Sequence, residues 1–220
     1  FLKLNSRFYQ ASSSEMFGNT RIKCNEKTPF KPLSPYAISK LSAHQITINY
    51  RNNYNIHASN GILFNHESPL RSKDFVSKKI IEGLVQIKNS KKKRLKVGNI
   101  YAKRDWGHAK DFVRGMHLIL NYKNPDDFII TSEQNYSVKD LINTACRILD
   151  IKGLWKGNGI NEFFEHNGKK IIIIDKDLFR PLDLMIMNGN AKKAKSKLGW
   201  LPKYSFTKLI SNMIEFELNK

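Results

Sequence analysis

The chain has 220 residues, 40% of them apolar, enough for a real core in one domain or one and a half. Its 38 basic and 19 acidic side chains leave a net charge of +19, and no apolar run is long enough to span a membrane. Cys24 and Cys146 lie far apart without metal-ligand spacing, which argues against a disulfide framework or a zinc site and points to the cytosol.

The first pattern in the chain is Phe8-Tyr9-Gln10-Ala11-Ser12-Ser13-Ser14-Glu15, an apolar-then-small run of the kind that ends a buried strand. Ser34 and Pro35 then open a helix, because serine caps and proline suits the first turn. That helix is expected to run to about Tyr54. Ile56 to Asn65 reads as a buried strand with the polar end Asn65-His66-Glu67. Val76, Ile80, Ile81, Leu84, Val85 and Ile87 follow helical spacing up to the run Lys91-Lys92-Lys93-Arg94. Leu95 to Gly98 is predicted as a short strand, Ala109 to Tyr122 as a helix and Asp127 to Thr131 as a strand. Ser137 and Asp140 form a capping-box pattern ahead of another apolar helix. Beyond Ile151, Gly153, Gly157, Gly159 and Gly168 break the chain into loops, with one apolar strand from Lys170 to Asp175. Ala191 to Leu198 is a Lys-rich helix stopped by Gly199, and Thr207 is expected to cap a final helix. Strands alternating with helices make this an α/β chain.

Tyr36 and Lys40 are four residues apart on the first helix, so phenol and ammonium share a face, one turn apart. A neighbouring cation favours phenolate, which lets a tyrosine serve as a base. The preceding strand ends in hydroxyls and a carboxylate, so these groups gather at the carboxyl edge of a sheet, where open α/β sheets bind ligands. The combination resembles the extended short-chain dehydrogenase/reductase family, whose triad is Ser or Thr, Tyr and Lys. Three further blocks, in matching order, resemble the GDP-mannose 4,6-dehydratase family. They are Asn60-Gly61-Ile62-Leu63-Phe64-Asn65-His66-Glu67-Ser68-Pro69, then Arg104-Asp105-Trp106-Gly107-His108-Ala109-Lys110-Asp111, then Phe179-Arg180-Pro181.

The resemblance implies the C-terminal part of a doubly wound Rossmann-type parallel sheet with a smaller α/β substrate lobe. The Rossmann part is expected within residues 1–150, interleaved with lobe segments at about 66–100, and residues 151–220 are expected to form the lobe. The Gly-rich turn that opens such a domain does not occur here. The first strands and most of the cofactor site are therefore expected upstream of Phe1.

For activity, the resemblance implies conversion of GDP-mannose to GDP-4-keto-6-deoxy-mannose by internal hydride transfer through NADP, in GDP-fucose or related deoxysugar synthesis. A related epimerase or reductase, or an inactive fragment that binds sugar nucleotide only, are the alternatives. Tyr36 would be the base at the sugar O4, with Lys40 its electrostatic partner and a contact to the cofactor ribose. Ser13 would hydrogen-bond O4. Ser12 and Ser14 compete by proximity, although Ser14 faces the other way if strand alternation persists. Glu15 would act on the C5 proton; the plainer reading is an exposed or capping glutamate.

Asn65 is assigned to the sugar or its phosphates, and His66 and Arg71 to the cofactor. Lys79, Arg104 and Arg180 are the cations for diphosphate and nucleotide, although Lys79 also suits an ordinary exposed helix lysine. Val97, Gly98 and Asn99 would line the guanine pocket, and Asp183 would contact a ribose. Leu70 and Lys78 stand where the family has Arg, Asp183 where it has Glu, and Phe17 where it has Tyr. The segment 158–169 is shorter than the family's. A homodimer or homotetramer is implied. The Lys91 run and a second cluster at Lys192, Lys193, Lys195 and Lys197 lack any nucleic-acid-binding signature, so no nucleic-acid partner is expected. The positive field suits a doubly charged nucleotide sugar.

Overall fold

The computed structural model describes residues 6–20, 22–179 and 187–220. In chain order it begins with β1 (Phe8–Ser13), β2 (Lys23–Cys24), α1 (Pro35–Tyr54), β3 (Ala58–Leu63) and β4 (His66–Glu67). Then come α2 (Val76–Lys88), β5 (Leu95–Val97), β6 (Lys103–Arg104), β7 (Gly107–His108), α3 (Ala109–Asn121) and β8 (Asp127–Ile130). The remainder is β9 (Tyr136–Ser137), α4 (Val138–Ile148), β10 (Leu154–Lys156), β11 (Phe163–His166), β12 (Lys169–Ile174), β13 (Asn188–Gly189), α5 (Lys192–Leu198) and α6 (Phe206–Leu218).

Two compact units share these elements. The first takes the described residues of Phe1–His66, Asp105–Asn135 and Ile186–Tyr204; the second takes those of Glu67–Arg104, Tyr136–Met185 and Ser205–Lys220. This differs from a division at residue 150. Residues 136–150 fall in the second unit because α4 packs on α2 and α6. Residues 187–204 fall in the first because β13 pairs with β2 while α5 packs on α3 and β8.

The first unit is built on a parallel sheet in the order β1-β3-β8. All six residues of the central β3 are buried, as befits a parallel strand covered on both faces. Trp200 is fully buried and its Nε1 donates to Asp111 O at 2.9 Å. Gly115 allows this approach, since a Cβ there would lie 3.0 Å from that nitrogen. On the outer side of β8, Ile129 N donates to Glu26 Oε1 at 3.0 Å, and Lys193 Nζ donates to Asp127 O at 2.8 Å. Lys193 also pairs with Asp126, and Lys195 with Glu133, so two cations of the second lysine cluster hold α5 in place.

The second unit has a four-stranded sheet, β10-β11-β12-β5, in which β12 and β5 run parallel and the other neighbours antiparallel. The stretch expected to be looped by its glycines holds the hairpin strands β10 and β11. Gly157, at φ +75°, makes the turn between them, where a Cβ would lie 2.6 Å from Asn161 O. Cross-strand pairing, rather than local propensity, makes strands of these short segments. Ser137 and Asp140 form the expected capping box on α4. Ser205, not Thr207, caps α6, because its extended backbone lets Oγ accept from Lys208 N at 3.2 Å. Among the described residues no helix is long and apolar enough to cross a membrane.

Candidate functional site

At the start of α1, Ser34 Oγ accepts from Ala37 N at 3.1 Å and Pro35 occupies the first turn. This starts the helix so that Tyr36 and Lys40 stack one turn apart. Lys40 Nζ lies 5.7 Å from the centre of the Tyr36 ring and donates to Ala11 O of β1 at 3.0 Å. An ammonium is thus held at the carboxyl end of β1 beside a phenol that is 51% exposed.

Ser13 ends that strand and caps a single 3-10 turn, Ser14–Phe17. Its Oγ accepts from Glu15 N at 3.2 Å, a bond that leaves its own hydrogen for a ligand acceptor. Glu15 is half-buried in the same turn. Because the chain leaves the strand at Ser13, the alternation assumed for Ser14 does not persist; the 3-10 turn buries it. Ser12 points inward instead, with Oγ 2.9 Å from His44 Nδ1. The turn is held by a bond from Lys31 N to Met16 O at 2.8 Å and by Phe17 against Phe30, ring centres 5.1 Å apart.

Beneath this edge lies a buried polar group that the sequence reading missed. Arg51 donates from both terminal nitrogens to Asp127, at 2.9 and 3.2 Å, and Asn60 Nδ2 donates to Asp127 Oδ1 at 2.7 Å. His44 Nε2 is 3.8 Å from the other carboxylate oxygen. Burial opposes ionisation of Asp127, but the bonds from Arg51 and Asn60 outweigh it and hold the carboxyl below its ordinary range. Burial also lowers His44, with Asp127 opposing and Arg51 reinforcing the shift. The group ties α1 to β1, β3 and β8, and so holds the helix that carries Tyr36 and Lys40. Its available signal was positional: Ala37, His44 and Thr47 recur on one buried face of α1.

Asn65 O accepts from Gly107 N at 3.0 Å, beyond the carboxyl end of β3. The His66 ring stacks on Phe112 with centres 4.6 Å apart, and its Nδ1 lies 2.9 Å from Phe64 O.

In the second unit, the Arg71 guanidinium lies 3.4 Å from the centre of the Phe75 ring, with Nε 3.2 Å from Glu67 Oε2. Nε is not aligned for a hydrogen bond, so the contact is an ion pair. Burial raises the Glu67 carboxyl above its ordinary range, although Arg71 and the Ser77 hydroxyl, donating at 2.7 Å, counter it. Lys78 is buried and paired with Glu217, so it serves the interior. Lys79 lines two cavities of about 440 and 390 Å³.

Val97 is 3% exposed on β5 and packs in the core. Gly98 abuts Leu178, whose carbonyl oxygen would be 2.3 Å from a Cβ. Asn99 Oδ1 accepts from Tyr101 N at 2.9 Å, and Arg104 Nη1 donates to Lys103 O at 2.8 Å. Arg180 and Asp183 lie outside the described residues.

A parallel sheet with hydroxyl, carboxylate, phenol and ammonium groups collected at its carboxyl end defines a Rossmann-type α/β protein. Solved structures bear out this fold. Pseudomonas aeruginosa RMD complexed with NADPH matches with a TM-score of 0.85 at 18% identity, over 99% of this chain and 68% of that one. dTDP-glucose 4,6-dehydratase from Bacillus anthracis, in complex with NAD, matches at 0.79 and 19% identity, over 97% and 62%. The GDP-mannose 4,6-dehydratase family model matches residues 2–213, and the chain belongs to that family. Among curated relatives, the GDP-mannose 4,6 dehydratase of Drosophila melanogaster is 40% identical over 99% of this chain and 56% of its own length. GDP-mannose 4,6 dehydratase 1 of Arabidopsis thaliana is 43% identical over 96% and 55%. The chain thus spans little more than half the length of these relatives.

Proposed function

We propose that the protein works on GDP-mannose as a 4,6-dehydratase, forming GDP-4-keto-6-deoxy-mannose. The observation that carries this reading is Lys40, anchored on Ala11 O beside Tyr36 at the strand end that also bears Ser13. An ammonium and a half-exposed phenol at a sheet rim suit ribose hydroxyls, so the donor set fits a nicotinamide cofactor, which we take to be NADP. When bound, such a cofactor supplies the acceptor and later the donor of hydride. Tyr36 Oη takes the proton from the sugar O4 while Ser13 Oγ donates to that oxygen. Lys40 places a positive charge beside that phenol. The 4-ketone acidifies C5–H, and Glu15 takes that proton and passes it to the departing C6 hydroxyl, which leaves as water. Lys79 and Arg104 serve the diphosphate and nucleotide; Arg180 and Asp183 are assigned there by resemblance alone.

We further propose a homo-oligomer and a cytoplasmic setting. Ile46, Tyr50 and Tyr54 form an exposed stripe on α1, 57%, 49% and 65% accessible, that suits a second copy. Cys24 and Cys146 are free and buried, and burial pushes their thiols up to about 11 and about 12.

A second reading is a chain that binds sugar nucleotide without turning it over. Incubation with GDP-mannose and NADP, followed by detection of a 4-keto-6-deoxy product, separates the two. The dehydratase reading expects product from the wild type and none from Glu15→Gln. Binding of GDP-mannose without product supports the second reading, and product from Glu15→Gln at the wild-type rate removes the role of Glu15.

A further inference from the structure

The run Lys91-Lys92-Lys93-Arg94 is not one uniform solvated face. Lys91, Lys93 and Arg94 are exposed, whereas Lys92 is partly buried. Its backbone is pinned to the end of α2, because Lys91 N and Lys92 N both donate to Gln86 O, at 2.8 and 3.2 Å. From there Lys92 lines both cavities that Lys79 lines. Among the described residues neither lysine has a carboxylate within ion-pair distance, although Lys96 pairs with Asp175 at 3.0 Å in the smaller cavity. Acids do line the walls: Asp74 and Glu82 in the larger cavity, Asp175 and Asp177 in the smaller. Ser72 donates to Asp74 at 3.0 Å, and Asp175 pairs with Lys96 while also feeling the charge of Lys79, so Lys92 adds a positive charge that no neighbouring carboxylate engages among the described residues.

We propose that Lys92 is a second cation for the group bound at Lys79, so that the diphosphate of a nucleoside diphosphate lies between the two ammonium groups. The inference rests on the reading of Lys79 as a diphosphate ligand. Two point charges on flexible stems suit a diphosphate, whose negative charge is spread over two phosphoryl groups. The carboxylates on the cavity walls disfavour a longer polyanion.

Titration calorimetry of the whole chain with GDP, and with guanosine as the uncharged comparator, tests this at low salt. Lys92→Ala is expected to weaken GDP about tenfold, as for loss of one charge-assisted hydrogen bond. Lys92→Arg should retain most of the affinity, Lys93→Ala should stay within about twofold of wild type, and guanosine binding should not change. Circular dichroism confirms that each variant is folded. If Lys79→Ala loses GDP while Lys92→Ala matches Lys93→Ala, the role of Lys92 is overturned and that of Lys79 stands. If GDP binding is insensitive to Lys79→Ala, or is absent from the wild type, both readings fall.

Discussion

Ser12 Oγ and His44 Nδ1 are 2.9 Å apart inside the first unit, and this bond turns one of three consecutive serines away from the sheet rim. It also makes the fit of α1 on β1 depend on an uncharged imidazole. The groups facing that ring are Ser12 from β1, Asp127 from β8 and the edge of Phe30, with the Arg51 charge acting on it from α1; Asn60 of β3 donates instead to the His44 carbonyl at 3.4 Å.

A pH dependence of stability follows from this burial. Folded His44 titrates below the ordinary histidine range, so the unfolded chain binds a proton first as the pH falls under about 6.5. Its contribution is complete above that value and is lost progressively below it. Urea midpoints of the wild type should drop between about pH 7 and pH 5, and His44→Gln should flatten that drop. His108, also lowered by burial, leaves a residual slope. Parallel profiles for the two proteins would exclude His44 as the origin.

The Lys78–Glu217 pair predicts a non-additive response. Lys78 Nζ donates to Glu217 Oε1 and, at 2.5 Å, to Pro69 O, with side chains 5% and 4% exposed. Glu217→Leu alone strands a buried ammonium and should cost about 3–5 kcal/mol, whereas Lys78→Met with Glu217→Leu should recover most of it. Equilibrium unfolding of the four proteins of the cycle measures the coupling. Additive losses would contradict it.

Gly98 separates a packing requirement from a ligand contact. A Cβ at this position would meet a backbone carbonyl at 2.3 Å, so Gly98→Ala must displace the 175–178 turn and should cost about 1–3 kcal/mol without any ligand present. A thermal midpoint equal to wild type would return Gly98 to a purely ligand-facing role.

Local signals carried most of the element order. Ser34 and Pro35 announce α1, the Ser137–Asp140 box announces α4, and Gly199 ends α5 in the left-handed conformation. Tyr36, Lys40 and Ser13 were legible as candidates because helix spacing and a strand end are both local features. What escaped depends on contacts distant in sequence. The Asp127 group joins residues from position 12 to position 127, the Lys78–Glu217 pair spans 139 positions, and the β10–β11 hairpin forms by pairing across glycines that read as breaks. The compact units depart from a division at residue 150 for the same reason, since returning segments such as α5 pack beside strands formed much earlier in the chain.

The two outer strands of the parallel sheet differ in a way that bears on its enlargement. Glu26 and Lys193 already occupy hydrogen-bonding positions along β8, whereas the Ala11 carbonyl of β1 accepts from Lys40 Nζ at 3.0 Å and from Gln10 Nε2 at 3.3 Å. A further strand is therefore obstructed at the β8 margin.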